Sequence, residues 1–275
     1  MSNAFLDQYF TRIGYGGSAA ADLRTLQELH RLHLQSIPYE NIDVFCHQGA
    51  PLDQEALVRK MLLRQRGGYC FQQNGLFCAV LTELGFECCP NMARVHYRRP
   101  EPGGRTHQVN LVEVEGQVRL CDVGFGGSGF RLPLPLEPDV EVEQLGEIYR
   151  LYESAAHGFY LQRKTGEEWR PLYTFKIDMA LPIDIAMANF YTANSSDHIF
   201  RGAILGTRLT DRGRVTLSDH TFKIYDLVAD TLETIVVTDF QHYVENLRTQ
   251  LGVELNESET GLLERRFPAL KPPAL

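Results

Sequence analysis

The chain has 275 residues, 44% of them hydrophobic and 23% charged, and carries a formal net charge of −8. That length supports a large core shared between two or three units. Acidity with no basic block to offset it excludes a nucleic-acid binder, and no apolar run is long enough to cross a bilayer.

The first third reads as helices. Phe5, Tyr9 and Ile13 fall near helical spacing over residues 4–13, and Gly14-Tyr15-Gly16-Gly17 ends that segment. Leu23, Leu26, Leu29 and Leu34 mark a second helix that stops before Pro38. Asp53 caps a third, with Leu57, Met61 and Leu62 inward and Gly67-Gly68 closing it. A fourth helix starts at Cys70 and runs to about Leu84, apolar around most of its circumference, as expected for the centre of a bundle.

From Phe86 the period shortens. Residues 92–97, 108–114, 117–123, 148–152 and 158–162 read as strands, and Pro133, Pro135 and Pro138 mark a loop. A helix is expected from about Pro182 through Phe190-Tyr191, then strands at 204–209, 215–217, 222–227 and 234–237, with Asp211-Arg212-Gly213 as a hairpin turn. Asp239 caps a last helix bearing Tyr243, Leu247 and Leu251. The order predicts an α+β fold: a helical bundle, a β-barrel or sandwich, and a smaller C-terminal α/β layer.

The N-terminal residues Met1-Ser2-Asn3-Ala4-Phe5-Leu6-Asp7 lack the basic and apolar regions of a signal peptide, so a cytoplasmic location is expected. Six cysteines (Cys46, Cys70, Cys78, Cys88, Cys89, Cys121) would be reduced there. None forms a C-x-x-C pair, which argues against a zinc site, and most read as small buried apolar residues.

Cys70 differs in its context, Arg66-Gly67-Gly68-Tyr69-Cys70, because a thiol at a helix N-terminus faces unpaired amide N–H groups and the positive end of the helix dipole. It needs a base and an orienting acid. Residues 106–123 read as a hairpin turning at Glu115-Gly116; Val114 then faces Gln117 and Asp122 faces Val109. Alternation puts His107 on the same face as Val109, making His107 and Asp122 diagonal neighbours about 7–8 Å apart at the backbone. A turn at Gly116-Gln117 would keep the shared face but set the pair further apart, and a three-residue loop would place them on opposite faces. In such a centre His107 takes the Cys70 proton, Asp122 fixes the His tautomer, and the sulfur forms a thioester with an acyl group. Each residue also has a plainer role: a cysteine packing on an apolar helix, a half-buried strand histidine, an aspartate forming a turn.

With these residues in hand, the sequence resembles the arylamine N-acetyltransferase family. Arg66-Gly67-Gly68-Tyr69-Cys70 with Asn74 resembles its nucleophile motif; Thr106-His107-Gln108-Val109 and Asp122-Val123-Gly124-Phe125-Gly126-Gly127 resemble its base and carboxylate motifs. Pro38-Tyr39-Glu40-Asn41 resembles the family's Pro-Phe-Glu-Asn, and position 72 is Gln where many members have Glu. The resemblance implies a helical bundle over residues 1–85, a β-barrel over 86–200 and an α/β lid over 201–275, with a cysteine-protease-like triad of Cys70, His107 and Asp122. It further implies acetyl-CoA as acyl donor, a small arylamine or hydrazine as acceptor, and no metal. Thr106, Phe125, Gly126, Gly127 and Phe200 match positions around substrate and CoA. No nucleic-acid or membrane partner is expected, and the sequence leaves room for a homo-oligomer. Three other functions compete: an amide synthase releasing a polyketide chain on the same fold, a papain- or transglutaminase-like cysteine hydrolase, and a non-catalytic ligand-binding protein with an inert thiol.

Overall fold

Side-chain caps and apolar faces define the helices of the N-terminal bundle. The structure is a computed structural model describing residues 4–96 and 103–270; Tyr97, the expected end of the first long strand, lies outside them. Helix α1 (Ala4–Ile13) and α2 (Leu23–Ser36) come first, the latter capped by Asp22, whose carboxylate accepts the Thr25 N–H at 2.8 Å. A two-residue strand β1 (Tyr39–Glu40) and a single turn α3 (Ile42–Phe45) follow. Asp53 caps α4 (Gln54–Leu57), which continues through Val58–Leu63 in wider π-type turns. Helix α5 (Cys70–Glu83) runs through the middle, burying Leu76, Phe77, Val80 and Leu81 against Tyr9, Leu26, Leu29 and Met61.

The next eight strands form one antiparallel sheet curled into a nearly closed barrel: β2 (Glu87–Val95), β3 (Arg105–Val114), β4 (Gln117–Cys121), β5 (Leu134–Pro135), β6 (Val142–Gln144), β7 (Glu147–Ser154), β8 (Gly158–Thr165) and β9 (Glu168–Met179). Their spatial order is β5-β4-β3-β2-β9-β8-β7-β6. Val109, Leu120, Phe130, Tyr149, Leu161 and Tyr173 fill its interior.

Three sequence expectations change here. Pro135 belongs to a strand, because β5 lies at the end of the sheet, where a residue without an N–H breaks no ladder. Strand β9 was not expected: Leu172 to Phe175 are buried in succession, so period-two alternation is lost, and Pro171 is absorbed at a register shift opposite Gln162. The cysteines are less buried than expected; Cys89 is exposed, and Cys78 and Cys88 are half-buried. The first residues of β2 pair with β3 alone, β9 joining only from Asn91, so that end of the strand is an open edge.

Helix α6 (Pro182–Asn194) leads to the second sheet, formed by β10 (Leu205–Leu209), β11 (Gly213–Ser218), β12 (Thr221–Asp226) and β13 (Thr231–Val236) in the order β1-β10-β11-β12-β13. Its first strand is contributed from the N-terminal third, with Tyr39 opposite Thr207 and Glu40 opposite Gly206. Helices α7 (Phe240–Asn246) and α8 (Glu257–Arg266) cover it, burying Tyr243, Leu247 and Leu263 with Ile42 and Phe45. Asp239 caps α7 as expected. Helix α8 is additional, and its signal was an Asn-x-x-Glu capping box at Asn256 and Glu259. Among the described residues no helix is long and apolar enough to cross a membrane.

Arg66 joins these parts. Its guanidinium is fully buried and donates to Glu40 at 2.9 Å, Asp43 at 2.7 Å and Glu259 at 2.6 Å. Lys60 adds an ammonium 2.8 Å from Asp43. Burial alone would raise the Asp43 pKa, but Lys60 and Arg66 override it and hold the carboxyl well below its usual range. Removing the guanidinium takes from the buried Glu40 carboxylate a counter-charge 2.9 Å away and leaves it Lys60 at 3.5 Å, and breaking a buried pair typically costs ~3–5 kcal/mol. Arg66→Ala is therefore expected to lower the unfolding free energy measured by urea titration by an amount in that range, and a value within error of the parent protein's would contradict this reading.

Candidate active site

Cys70 is the first residue of α5, with Tyr69 in extended conformation as its N-cap. The first amide groups of a helix have no partner inside it, so the sulfur sits where negative charge is favoured. Pairing of residues 38–40 with the Gly67-Gly68 turn sets the approach to the helix: Gly68 N–H donates to Pro38 O at 3.2 Å and Glu40 N–H to Gly68 O at 3.0 Å. A side chain on Gly67 would place its Cβ 1.9 Å from the Pro38 carbonyl oxygen, so only glycine fits there.

The hairpin has the expected two-residue turn. Val114 pairs with Gln117 and Asn110 with Cys121, and Glu115 and Gly116 take φ of 53° and 74°. That parity brings His107 and Asp122 together, with His107 Nε2 2.7 Å from Asp122 Oδ2. The Nδ1 side of the ring is left for Cys70, whose thiol is within hydrogen-bonding reach of His107. The sulfur also lies 3.8 Å from the Thr106 carbonyl oxygen. The structure thus brings Cys70, His107 and Asp122 into one line.

Electrostatics follow from that line. Burial alone would lower the His107 pKa; the Asp122 charge and hydrogen bond, helped by Cys70, reverse this and raise it to about 10. Burial alone would raise the Asp122 pKa, but His107, Asn74 and the Gly124 N–H lower it. The other Asp122 oxygen accepts Asn74 Nδ2 and Gly124 N–H, each at 2.9 Å.

Several contributors were not singled out from the sequence. His30 Nε2 accepts the Asp122 backbone N–H at 3.1 Å while its Nδ1 donates to Arg131 O at 2.9 Å. Burial drives the His30 pKa down to about 4, so it serves as a neutral clamp. His33 donates to Gln73 Oε1 at 2.6 Å, and Gln73 Nε2 donates to Pro38 O at 2.7 Å, the same carbonyl that holds Gly68. Gly124 is the tightest glycine of its loop: a Cβ there would come 2.7 Å from both Cys70 Cα and Asn74 Nδ2. A buried polar residue beside an apolar helical stripe was the available signal for Gln73 and His33, but such residues read equally as surface positions.

The remaining candidates surround this centre. The Phe125 ring centroid is 5.3 Å from that of His107, and Tyr173, also unexpected, lies 5.1 Å from both rings. Phe200 packs with Tyr69, 5.8 Å between centroids, in the cluster that includes Cys70. Thr106 lends its carbonyl to the sulfur's surroundings, while its hydroxyl turns to Gly104 O at 3.5 Å. Gly126, with φ of 80°, and Gly127 run between the barrel and the second sheet, close to Tyr39, Thr207 and Thr216. Arg214 donates to the Gly127 carbonyl and pairs with Glu147, fixing that loop to the barrel. Among the described residues no group of three or more His, Cys, Asp or Glu is placed to hold a metal ion.

A family model described as N-acetyltransferase matches residues 22–260. The arylamine N-acetyltransferase / N-hydroxyarylamine O-acetyltransferase of Salmonella typhimurium is 33% identical over 269 residues, covering 97% of this chain and 95% of its own length. The solved structure of an arylamine N-acetyltransferase from Salmonella typhimurium matches with a TM-score of 0.92 at 32% identity, covering 98% of this chain and 100% of that one. The structure of the Mycobacterium marinum arylamine N-acetyltransferase in complex with CoA matches with a TM-score of 0.88 at 30% identity, over 97% of this chain and 100% of the other. This chain is an acetyltransferase and belongs to the arylamine N-acetyltransferase family.

Proposed function

We propose that the protein transfers acetyl from acetyl-CoA to an arylamine or arylhydrazine by a ping-pong route through an acetyl-Cys70 thioester. The observation that carries this reading is the line from the α5 N-terminal sulfur through His107 to Asp122, with 2.7 Å between the last two side chains. In the first half-reaction the Cys70 sulfur attacks the acetyl carbonyl, and the C–S bond to CoA breaks. His107, protonated in the resting pair, gives its proton to the departing sulfur. In the second, the amine nitrogen attacks the thioester carbonyl, His107 takes the proton that nitrogen sheds, and Cys70 leaves as thiolate. Asp122 holds the ring in one tautomer and stabilises its cation without taking the proton.

Arylamines suit this chemistry because their low basicity leaves the nitrogen lone pair free at neutral pH. The acyl-enzyme has to be kept from water, and the aromatic side chains of Phe125, Tyr173 and Phe200 are the groups at hand for that. Gly126 and Gly127 would lie along the CoA arm, where the absence of side chains permits close approach. In this reading residues 1–85 supply the nucleophile, 86–200 the base and carboxylate, and 201–275 the cover on the CoA side. Resemblance to a CoA-complexed relative supports the donor.

Intact-mass measurement after acetyl-CoA alone is expected to show one acetyl group, on Cys70, and Cys70→Ser is expected to abolish transfer to an arylamine with its circular dichroism unchanged. Acetylation of a different residue, or turnover by the serine variant, would contradict the mechanism. Continuous CoA release without amine, beyond the single equivalent that acetylates Cys70, would make the protein a hydrolase instead.

Asp122→Asn should cut turnover by roughly two to four orders of magnitude, because the ring loses the partner that selects its tautomer. The same change has a thermodynamic signature. His107 is raised from an unfolded value of about 6.5 to about 10, so its contribution to stability is whole below the first and lost as pH rises through the second. The stability gap between parent and Asp122→Asn should therefore shrink from pH 6.5 to 10, with imidazole 15N NMR showing His107 doubly protonated at pH 7 only in the parent. A gap independent of pH over that range would remove the charged pair from the account.

A further inference from the structure

Cys78 and Cys88 take no part in the site described above, and they meet at the seam where α5 packs on β2. The Cys78 sulfur lies 3.9 Å from the Cys88 carbonyl oxygen, and the two thiols are within hydrogen-bonding reach of each other. Alternation along β2 turns Cys88 inward against the bundle core and leaves its neighbour Cys89 exposed. Both members of the pair are half-buried, so a small reagent reaches them, whereas Cys46 and Cys121 are buried. The Cys88 thiol and then the Thr82 hydroxyl favour the Cys78 thiolate over the opposing effect of burial. Cys78 and burial together push the Cys88 thiol up, which keeps its proton in place. Two neighbouring thiols that a small reagent can reach, one on a helix and one on a strand, are the arrangement of an attacking and a resolving cysteine.

We propose that Cys78 and Cys88 are a reversible peroxide-sensitive dithiol, closing to a disulfide that joins the nucleophile-bearing helix to the barrel. The Cys78 thiolate attacks one peroxide oxygen, the O–O bond breaks, and the departing hydroxide takes a proton to become water. Cys78 is then a sulfenic acid. The Cys88 sulfur attacks it, the S–O bond breaks, and a second water leaves with the Cys88 proton. In sum, two thiols lose two hydrogens and one hydrogen peroxide is reduced to two waters. A reducing dithiol reverses the bond by exchange.

The test is a disulfide map of the full chain after hydrogen peroxide, with free thiols alkylated and digestion by trypsin and a glutamate-specific protease without reduction. Cleavage after Glu83 and Glu87 separates Cys78 from Cys88, so the bond is read as a cross-linked pair lighter by two hydrogens than its parts and released by dithiothreitol. The cross-link is expected in the parent, in Cys70→Ala, where the nucleophile cannot supply it, and in Cys89→Ser. It should be lost in Cys88→Ser, with dimedone then trapping Cys78 as its sulfenic acid. Recovery of alkylated Cys78 and Cys88 at peroxide doses that fully oxidise Cys70 overturns the proposal, as does Cys78 joined to Cys89.

Discussion

A carboxylate shut away from water survives as an anion only if donors surround it, and the Asp122 side chain meets that condition from separate parts of the fold. The His107 ring comes from β3, the Asn74 amide from the first turns of α5, and the Gly124 N–H from its own loop. The backbone N–H of Asp122 is held in turn by His30 of α2. One anion therefore ties the bundle to the barrel, and the position of the imidazole relative to the sulfur depends on it. The same Asn74 accepts Val123 N–H at 3.0 Å and donates to Gln108 O at 2.7 Å, so α5, the His107 strand and the Asp122 loop share a single side chain.

The bundle contributes its own polar scaffold. Tyr9, His33 and Gln73 form a buried chain that ends on the Pro38 carbonyl, and His33 is kept neutral by burial, with its pKa lowered to about 3. A neutral imidazole with one donor and one acceptor can satisfy two partners without bringing a charge near the reactive pair. Electrostatic influence on His107 is thereby left to Asp122 and Cys70. A separate cluster of charge surrounds Arg66 and Lys60, which face Glu40, Asp43 and Glu259.

Much of the site was legible in the sequence because it rests on short-range rules. A two-residue turn at Glu115-Gly116 fixes strand parity, parity fixes which faces His107 and Asp122 share, and glycines before Cys70 place the thiol at a helix start. The long-range partners were not legible. Nothing local links Arg66 to Glu259, or His30 to the backbone of Asp122, since each link depends on how distant segments pack. Strand β9 was hidden because burial on both faces erases alternation, and Tyr173 was hidden with it. The C-terminal sheet was visible strand by strand, yet its first strand, Tyr39–Glu40, is too short to carry a pattern.

The Arg66 knot has a consequence for the order in which the molecule matures. Thiol, imidazole and carboxylate have all been synthesised once the ribosome passes residue 122, but the glutamate that completes the knot comes from α8, near the far end of the chain. The loop that leads to Cys70 begins at Arg66 itself, and its companion β1 is stitched to a sheet that is translated only after the barrel strands. A nascent chain thus holds the thiol, the imidazole and the carboxylate long before the contacts that fix the Cys70 loop can form.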